Sequence, residues 1–242
     1  MELDILAVGA HPDDVELCCS GTLAKAVKQG YKVGIIDLTK GELGTRGTRE
    51  IRAKEAKEAA KVLGVYVREN LHLPDGRFEV NEKNKLKVIQ LYRKYRPKII
   101  LIPHWHERHP DHVHAHYLCR EAWYYSGLRK IITKLNGKKQ QPWRPHHYFH
   151  FMQKYEFTPS FIVDISDVYE IRVRAIQAHK SQFYNPESEE PETLLSQKSF
   201  LDLVETRAKY YGQQIGVKYG EPFYSVEMIG INDVFMLKMF KG

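Results

Sequence analysis

The feature that most constrains this chain is a repeated switch of hydrophobic period in its first half. Apolar runs at Ile5–Gly9, Tyr31–Leu38, Val65–Leu71 and Lys98–Pro103 alternate with segments of helical spacing at Leu17–Gln29, Thr48–Leu63, Glu82–Tyr95 and Asp111–Tyr125. Gly30 and Gly64 stand where two of these helices should stop, and Thr48 where one should be capped. Strands that alternate with helices in this way predict an α/β fold, a mostly parallel sheet with helices on both faces. Beyond Tyr125 the pattern loosens. Strands are expected near His147–Phe151, Phe161–Ile165 and Val234–Leu237, helices near Val168–Ala178 and Ser196–Gln213, and a surface loop over Tyr184–Leu194.

Composition narrows the classes. A chain of 242 residues with 43% hydrophobic and 28% charged residues is ordinary for one soluble domain, and no compositional break divides it, so residues 1–242 are read as a single domain. Three cysteines, two of them adjacent at Cys18 and Cys19, make a poor disulfide framework and point to the cytoplasm. No apolar stretch approaches a membrane span, and MELDILAV lacks a signal-peptide pattern. The net charge of +7 is spread over amphipathic segments among acids, which argues against nucleic acid and is compatible with a small anionic substrate.

Two short motifs carry the chemistry. Ala10-His11-Pro12-Asp13-Asp14 follows the first strand, and His109-Pro110-Asp111-His112 follows the fourth and opens a helix. In an open α/β sheet the first strand is central and the strand order reverses beside it, so these two loops should flank one crevice. His11, Asp14 and His112 then form a set of two nitrogens and one oxygen with open positions, which suits catalytic zinc and also ferrous iron. A cation in such a site acidifies water from a pKa near 16 to about 7, and a base must take the proton. Asp13 is the candidate base. His109 is placed to stabilise an oxyanion or protonate a leaving amine, with Asp111 expected to hold that imidazole in its charged form.

Simpler readings stand beside these. Asp13, Asp14 and Asp111 are all residue types that cap helices. Six of the twelve histidines lie between His104 and His116, so the segment also fits a metal-storage tract, although it lacks low-complexity regularity. His104, His106, His114 and His116 are expected in surface or packing roles. A dinucleotide-binding module is disfavoured, because the first turn, GAHPDD, lacks the required glycine spacing.

The motifs together resemble the LmbE-like, or PIG-L, family of metal-dependent sugar deacetylases, whose fold is Rossmann-like with the active site at the C-terminal ends of strands 1 and 4. The resemblance continues through Gly41-Glu42-Leu43-Gly44-Thr45-Arg46-Gly47, Arg52-Ala53-Lys54-Glu55, Leu73-Pro74-Asp75-Gly76, Val163-Asp164-Ile165, Ala178-His179-Lys180-Ser181-Gln182 and Gly216-Val217-Lys218-Tyr219. In order and detail it is similar to the branch that deacetylates N-acetylglucosaminyl malate in bacillithiol biosynthesis. It implies metal ligation by His11, Asp14 and His112, a base at Asp13, an orienting pair in Asp111 and His109, and substrate contacts from Arg52, Glu42 and Asp75. It also implies an amino-sugar substrate and a homo-oligomer. Another N-acetylglucosaminide as substrate, or a metal-binding protein without catalysis, are the alternatives.

Overall fold

The computed structural model describes residues 1–237. Four βα units come first: β1 (Ile5–Gly9), α1 (Asp14–Lys28), β2 (Val33–Thr39), α2 (Arg49–Leu63), β3 (Val67–Leu73), α3 (Glu82–Tyr95), β4 (Ile99–Pro103) and α4 (Pro110–Ser126). A hairpin of two-residue strands, β5 (Lys134–Leu135) and β6 (Lys138–Lys139), precedes β7 (His147–Phe151) and β8 (Phe161–Asp164). α5 (Tyr169–Gln177), α6 (Phe200–Gln214) and β9 (Gly220–Tyr224) follow.

The main sheet runs β3-β2-β1-β4-β7-β9-β8. The β1–β2, β2–β3, β1–β4 and β4–β7 pairs are parallel, and β9 is antiparallel to both β7 and β8. β2 is buried along its whole length, as expected for a continuous apolar strand covered on both faces. One core layer joins α1, α5 and α6 to the sheet, with Leu23, Ile35, Ala175, Val204 and Phe223 among its members. The other packs α3 and α4 against the opposite face through Leu6, Ile36, Tyr92, Ile100 and Leu118. The order reverses at β1, between β2 on one side and β4 on the other, so a crevice opens above the C-terminal ends of β1 and β4. Among the described residues no helix is long and apolar enough to cross a membrane.

The structure departs from the sequence expectation in the C-terminal half. Val234–Met236 is a short 3-10 turn with exposed side chains, where a strand over Val234–Leu237 was expected. Conversely, β9 and the β5–β6 hairpin are strands that the sequence pattern does not announce. Within β9, Pro222 lacks an N–H and Glu221 breaks the apolar run. Glu221 is nonetheless buried. Its carboxylate accepts from the Gly21 and Thr22 amides of α1 at 2.8 and 2.7 Å and pairs with Arg172 at 2.9 Å. These partners, about 200 and 49 residues away in the chain, satisfy the charge that made the segment look unlike a strand.

Candidate active site

The loop after β1 is bent into an unusual shape. Asp13 adopts φ 123°, ψ −27°, a left-handed conformation that side chains other than glycine rarely take, and its carboxylate makes no cap to α1. The capping alternative for Asp13 therefore does not describe this turn. Asp13 Oδ2 instead accepts from Arg52 Nη2 at 3.1 Å, while Asp14 Oδ2 accepts from the His11 amide at 2.9 Å. The turn holds two adjacent carboxylates facing different partners.

Across the crevice, α4 begins at Pro110, whose missing N–H costs nothing at a first helical position. His109 is the N-cap: its Nδ1 accepts from the Asp111 amide at 3.1 Å. One turn into the helix, His112 Nε2 reaches Asp14 Oδ1 at 3.1 Å, and His11 Nδ1 lies 3.7 Å from Asp14 Oδ2. Ligand atoms of His11, Asp14 and His112 all lie within 4.8 Å of one another. The rings of His11, His109 and His112 are mutually close, with centroids 4.8 to 5.3 Å apart.

Charge balance fits this donor set to a cation. Burial pushes the His11 imidazole down, but Asp111, Asp14 and Asp75 outweigh it and hold its pKa well above the usual value. Burial likewise opposes, and Asp14 outweighs, at His112, whose pKa is raised to about 9. Asp14 lies well below the carboxylate range because His112 and His11 overcome its burial. Without a metal the carboxylates draw protons onto both imidazoles, and a divalent cation would displace those protons. Burial raises Asp13 instead, against the pull of Arg52.

The second carboxylate of the β4 loop does something other than expected. Asp111 accepts from the Gly76 amide at 2.7 Å and faces His11 Nε2 at 3.4 Å, and ligand atoms of His11, His109 and Asp111 also lie within 4.8 Å of one another. His109 is pushed below the usual imidazole pKa by burial and by the neighbouring His11 and His112, against the pull of Asp111. Asp75, expected to touch substrate, also meets His11: its Oδ1 is 3.0 Å from Nε2, and its Oδ2 accepts from the Leu43 amide at 2.8 Å. Two carboxylates thus address the outer nitrogen of one imidazole, which fixes its tautomer and orientation.

Arg52 and Glu42 are also placed as supports. Arg52 is buried, and its Nη atoms donate to the Gly41 and Pro12 carbonyls at 3.1 and 2.7 Å as well as to Asp13. A side chain at Gly41, φ 66°, would put a Cβ 2.0 Å from Arg52 Nη1, so this glycine is required by the arginine's path. Glu42 is exposed and bridges the Lys40 and Asp75 amides at 3.2 and 3.1 Å. Both Nη atoms of Arg52 are taken up by protein acceptors, whereas the exposed Glu42 carboxylate keeps acceptor capacity beyond these two amides. Of the remaining histidines, His104 and His116 are buried in an aromatic cluster with Trp105 and His150, His106 stacks on Tyr155, and His114 meets Phe78. His179 is fully buried, with Nε2 3.5 Å from Glu16.

The groups open into a cavity of about 380 Å³, within the range of small-ligand sites. Leu43, Leu194 and Leu203 form part of an apolar wall, and Arg108 and Lys154 stand at its polar side. Gln153, which the motifs do not reveal, lines the same cavity and donates Nε2–H to Asp14 Oδ1 at 3.2 Å. Glu107 lies there too. A lone glutamine or glutamate between motifs carries no sequence signal for such a place.

Known proteins agree with this geometry. Residues 6–123 match the PIG-L family model, described as GlcNAc-PI de-N-acetylase. The diacetylchitobiose deacetylase of Thermococcus kodakarensis is 32% identical over 232 residues, covering 90% of this chain and 80% of that protein. A conserved protein of Thermus thermophilus superposes with a TM-score of 0.84 at 37% identity, covering 95% of this chain and 98% of that one. The N,N'-diacetylchitobiose deacetylase of Pyrococcus horikoshii superposes with a TM-score of 0.77 at 27% identity, covering 90% of this chain and 82% of that one. Motif, topology and similarity over nearly the whole length converge, and the chain belongs to the PIG-L family of de-N-acetylases.

Proposed function

We propose that this protein hydrolyses the acetamide of an N-acetylglucosamine unit in a small molecule, releasing acetate and a free amine. The observation that carries the reading is the meeting of His11, Asp14 and His112 beside the buried carboxylate of Asp13, at the floor of a cavity of small-ligand size. These three residues would hold the metal, with zinc favoured by the N₂O donor set and ferrous iron also suited to it. A divalent cation there supplies Lewis acidity toward the acetyl carbonyl and an acidified water. Asp13 takes the proton as water attacks, and its ion pair with Arg52 keeps its oxygens in one orientation. Because His109 Nδ1 accepts from the backbone, its Nε2 carries the N–H, which is the form able to donate to the oxyanion or the departing amine.

For the substrate we favour N-acetylglucosaminyl malate, as in bacillithiol biosynthesis. Arg108 and Lys154 are exposed at the cavity, and among the described residues their side chains have no protein partner, so they are available to an anionic aglycone. The second reading is N,N'-diacetylchitobiose, favoured by the activity named for the archaeal relative. The buried free cysteines, their thiols pushed up by burial, fit a reducing cytoplasm, and homo-oligomerisation stays part of the proposal. The test is turnover of N-acetylglucosaminyl malate, diacetylchitobiose and N-acetylglucosamine by metal-free protein reloaded with zinc or ferrous iron. Acetate release that requires metal, and is fastest on the malate, is expected. No release from any of the three overturns the proposal, and preference for diacetylchitobiose selects the second reading.

A further inference from the structure

The two imidazoles of the metal set are not equally supported. The outer nitrogen of His11 faces Asp75 and Asp111 at 3.0 and 3.4 Å. The outer nitrogen of His112, Nδ1, is buried and has no hydrogen-bond partner. The carboxylate that faces it is Glu107, whose Oε2 lies 3.9 Å away. The Glu107 side chain is 1% exposed, so bulk water does not solvate its charge.

Glu107 is fixed independently of His112. Oε1 accepts from the Tyr155 amide, in the loop after β7, and Oε2 accepts from the Arg108 amide at 3.1 Å. His104 Nε2, also buried and without a hydrogen bond, lies 3.5 Å from Oε1. An ionised carboxylate offers about four acceptor positions, and two are used by backbone amides. The remaining capacity faces two buried ring nitrogens, His112 Nδ1 and His104 Nε2, that have no hydrogen-bond partner. Leaving such polar atoms unpaired is costly, and a small rotation of His112 toward the carboxylate would satisfy its Nδ1–H.

We propose that Glu107 is a positioning residue for His112, accepting its Nδ1–H and so fixing the tautomer in which Nε2 is free to bind the metal. The inference rests on the metal reading of the site. It gives His112 the same kind of carboxylate backing that Asp75 and Asp111 give His11, the arrangement through which ligating histidines are usually oriented. The simpler alternative is that Glu107 only staples the loops after β4 and β7 together.

Glu107→Gln removes the charge and keeps one oxygen, which can serve only one of the Tyr155 and Arg108 amides, so zinc affinity and the His112 resonance, rather than stability, separate the two. Zinc dissociation constants from chelator competition are expected to weaken by about 10- to 100-fold. The His112 Nδ1–H resonance in ¹⁵N-histidine spectra of the zinc-loaded protein is expected to shift, which the loss of one backbone contact would not by itself produce. Glu107→Asp, which keeps the charge on a shorter arm, is expected to recover part of the affinity and carries the test if the glutamine variant does not fold. Unchanged zinc affinity and an unshifted His112 resonance, with a lower metal-free midpoint, would mean a loop staple and overturn the inference alone. A wild-type chain that binds no zinc overturns the metal reading, and this inference with it.

Discussion

The loops after β1 and β4 meet at one point but are held there in different ways. In the β4 loop the backbone is set locally, with His109 capping α4, Pro110 starting it and Glu107 accepting from the adjacent Arg108 amide, while Glu107 and Asp111 also reach the Tyr155 and Gly76 amides. The β1 loop, with Asp13 at φ 123°, depends on residues remote in sequence. Arg52 from α2 binds Pro12 and Asp13, Thr39 at the end of β2 donates its hydroxyl to the Ala10 carbonyl at 3.0 Å, and Asp75 from the loop after β3 binds His11. A strained turn persists only where its surroundings over-determine it, and here they do so through the parallel sheet. The contrast predicts that distant substitutions disturb Asp13 more than they disturb His112.

The largest effect should come from the β1 loop itself, where adjacent carboxylates have different surroundings. Asp14→Asn removes a ligand charge and should lose metal and turnover together, as measured by metal content after gel filtration. Asp13→Asn should keep metal and lose turnover. Asparagine tolerates left-handed backbone, so the turn is preserved while the base is lost. The expected fall in kcat is on the order of 10²- to 10⁴-fold, about 3–5 kcal/mol of barrier, at matched metal occupancy and saturating substrate. Near wild-type kcat would remove Asp13 from proton transfer.

How much of this was legible differs between the same two loops. The residues His11, Asp13, Asp14, His109 and His112 stand at strand ends, where the hydrophobic period changes, so both motifs and their convergence could be read from pattern and topology. Their supports could not. Arg52, Glu42 and Asp75 are expected from the family resemblance to touch substrate, and the structure adds contacts 11 to 64 residues away, to the Gly41 carbonyl, the Asp75 amide and the His11 ring, that no local pattern announces. Asp111 is expected to back His109 as an orienting carboxylate, and the structure adds contacts from it to His11 and Gly76 that the motif does not announce. The same distinction explains the fold: β1 to α4 follow local periodicity, while β9 becomes a strand because α1 and α5 satisfy Glu221.

Arg52 gives the next prediction. Its guanidinium opposes the rise in Asp13 pKa that burial causes, so removing the charge lets that pKa rise further. A base at Asp13, as proposed, would act in its ionised form, so the acid limb of the kcat/KM profile should move to higher pH in Arg52→Gln. A displacement of about 1 to 3 pH units matches what a neighbouring arginine usually contributes. Activity lost at low pH should return as pH rises through the new limb. An unmoved limb with uniformly lower activity would show that Arg52 holds the turn without tuning Asp13.

The smallest effect discriminates best between remote and local support, because it compares two helix caps of similar chemistry. Thr48 accepts from the Ile51 amide at 3.2 Å and caps α2, which carries Arg52 in its first turns; Asn81 accepts from the Asn84 amide at 3.0 Å and caps α3. Replacing either cap by alanine should cost about 1 kcal/mol of stability. In a domain of this size that is roughly 2–4 °C in Tm, so the two variants are matched in overall damage. Only Thr48→Ala frays the helix start that aims Arg52 at Pro12 and Asp13. If the β1 turn depends on that remote contact, kcat should fall about twofold to fivefold, equivalent to 0.5–1 kcal/mol, in Thr48→Ala and stay at the wild-type value in Asn81→Ala. Equal kcat in the two variants, with equal Tm loss, would show that Arg52 keeps its place without the α2 cap and that the β1 loop is as locally determined as the β4 loop.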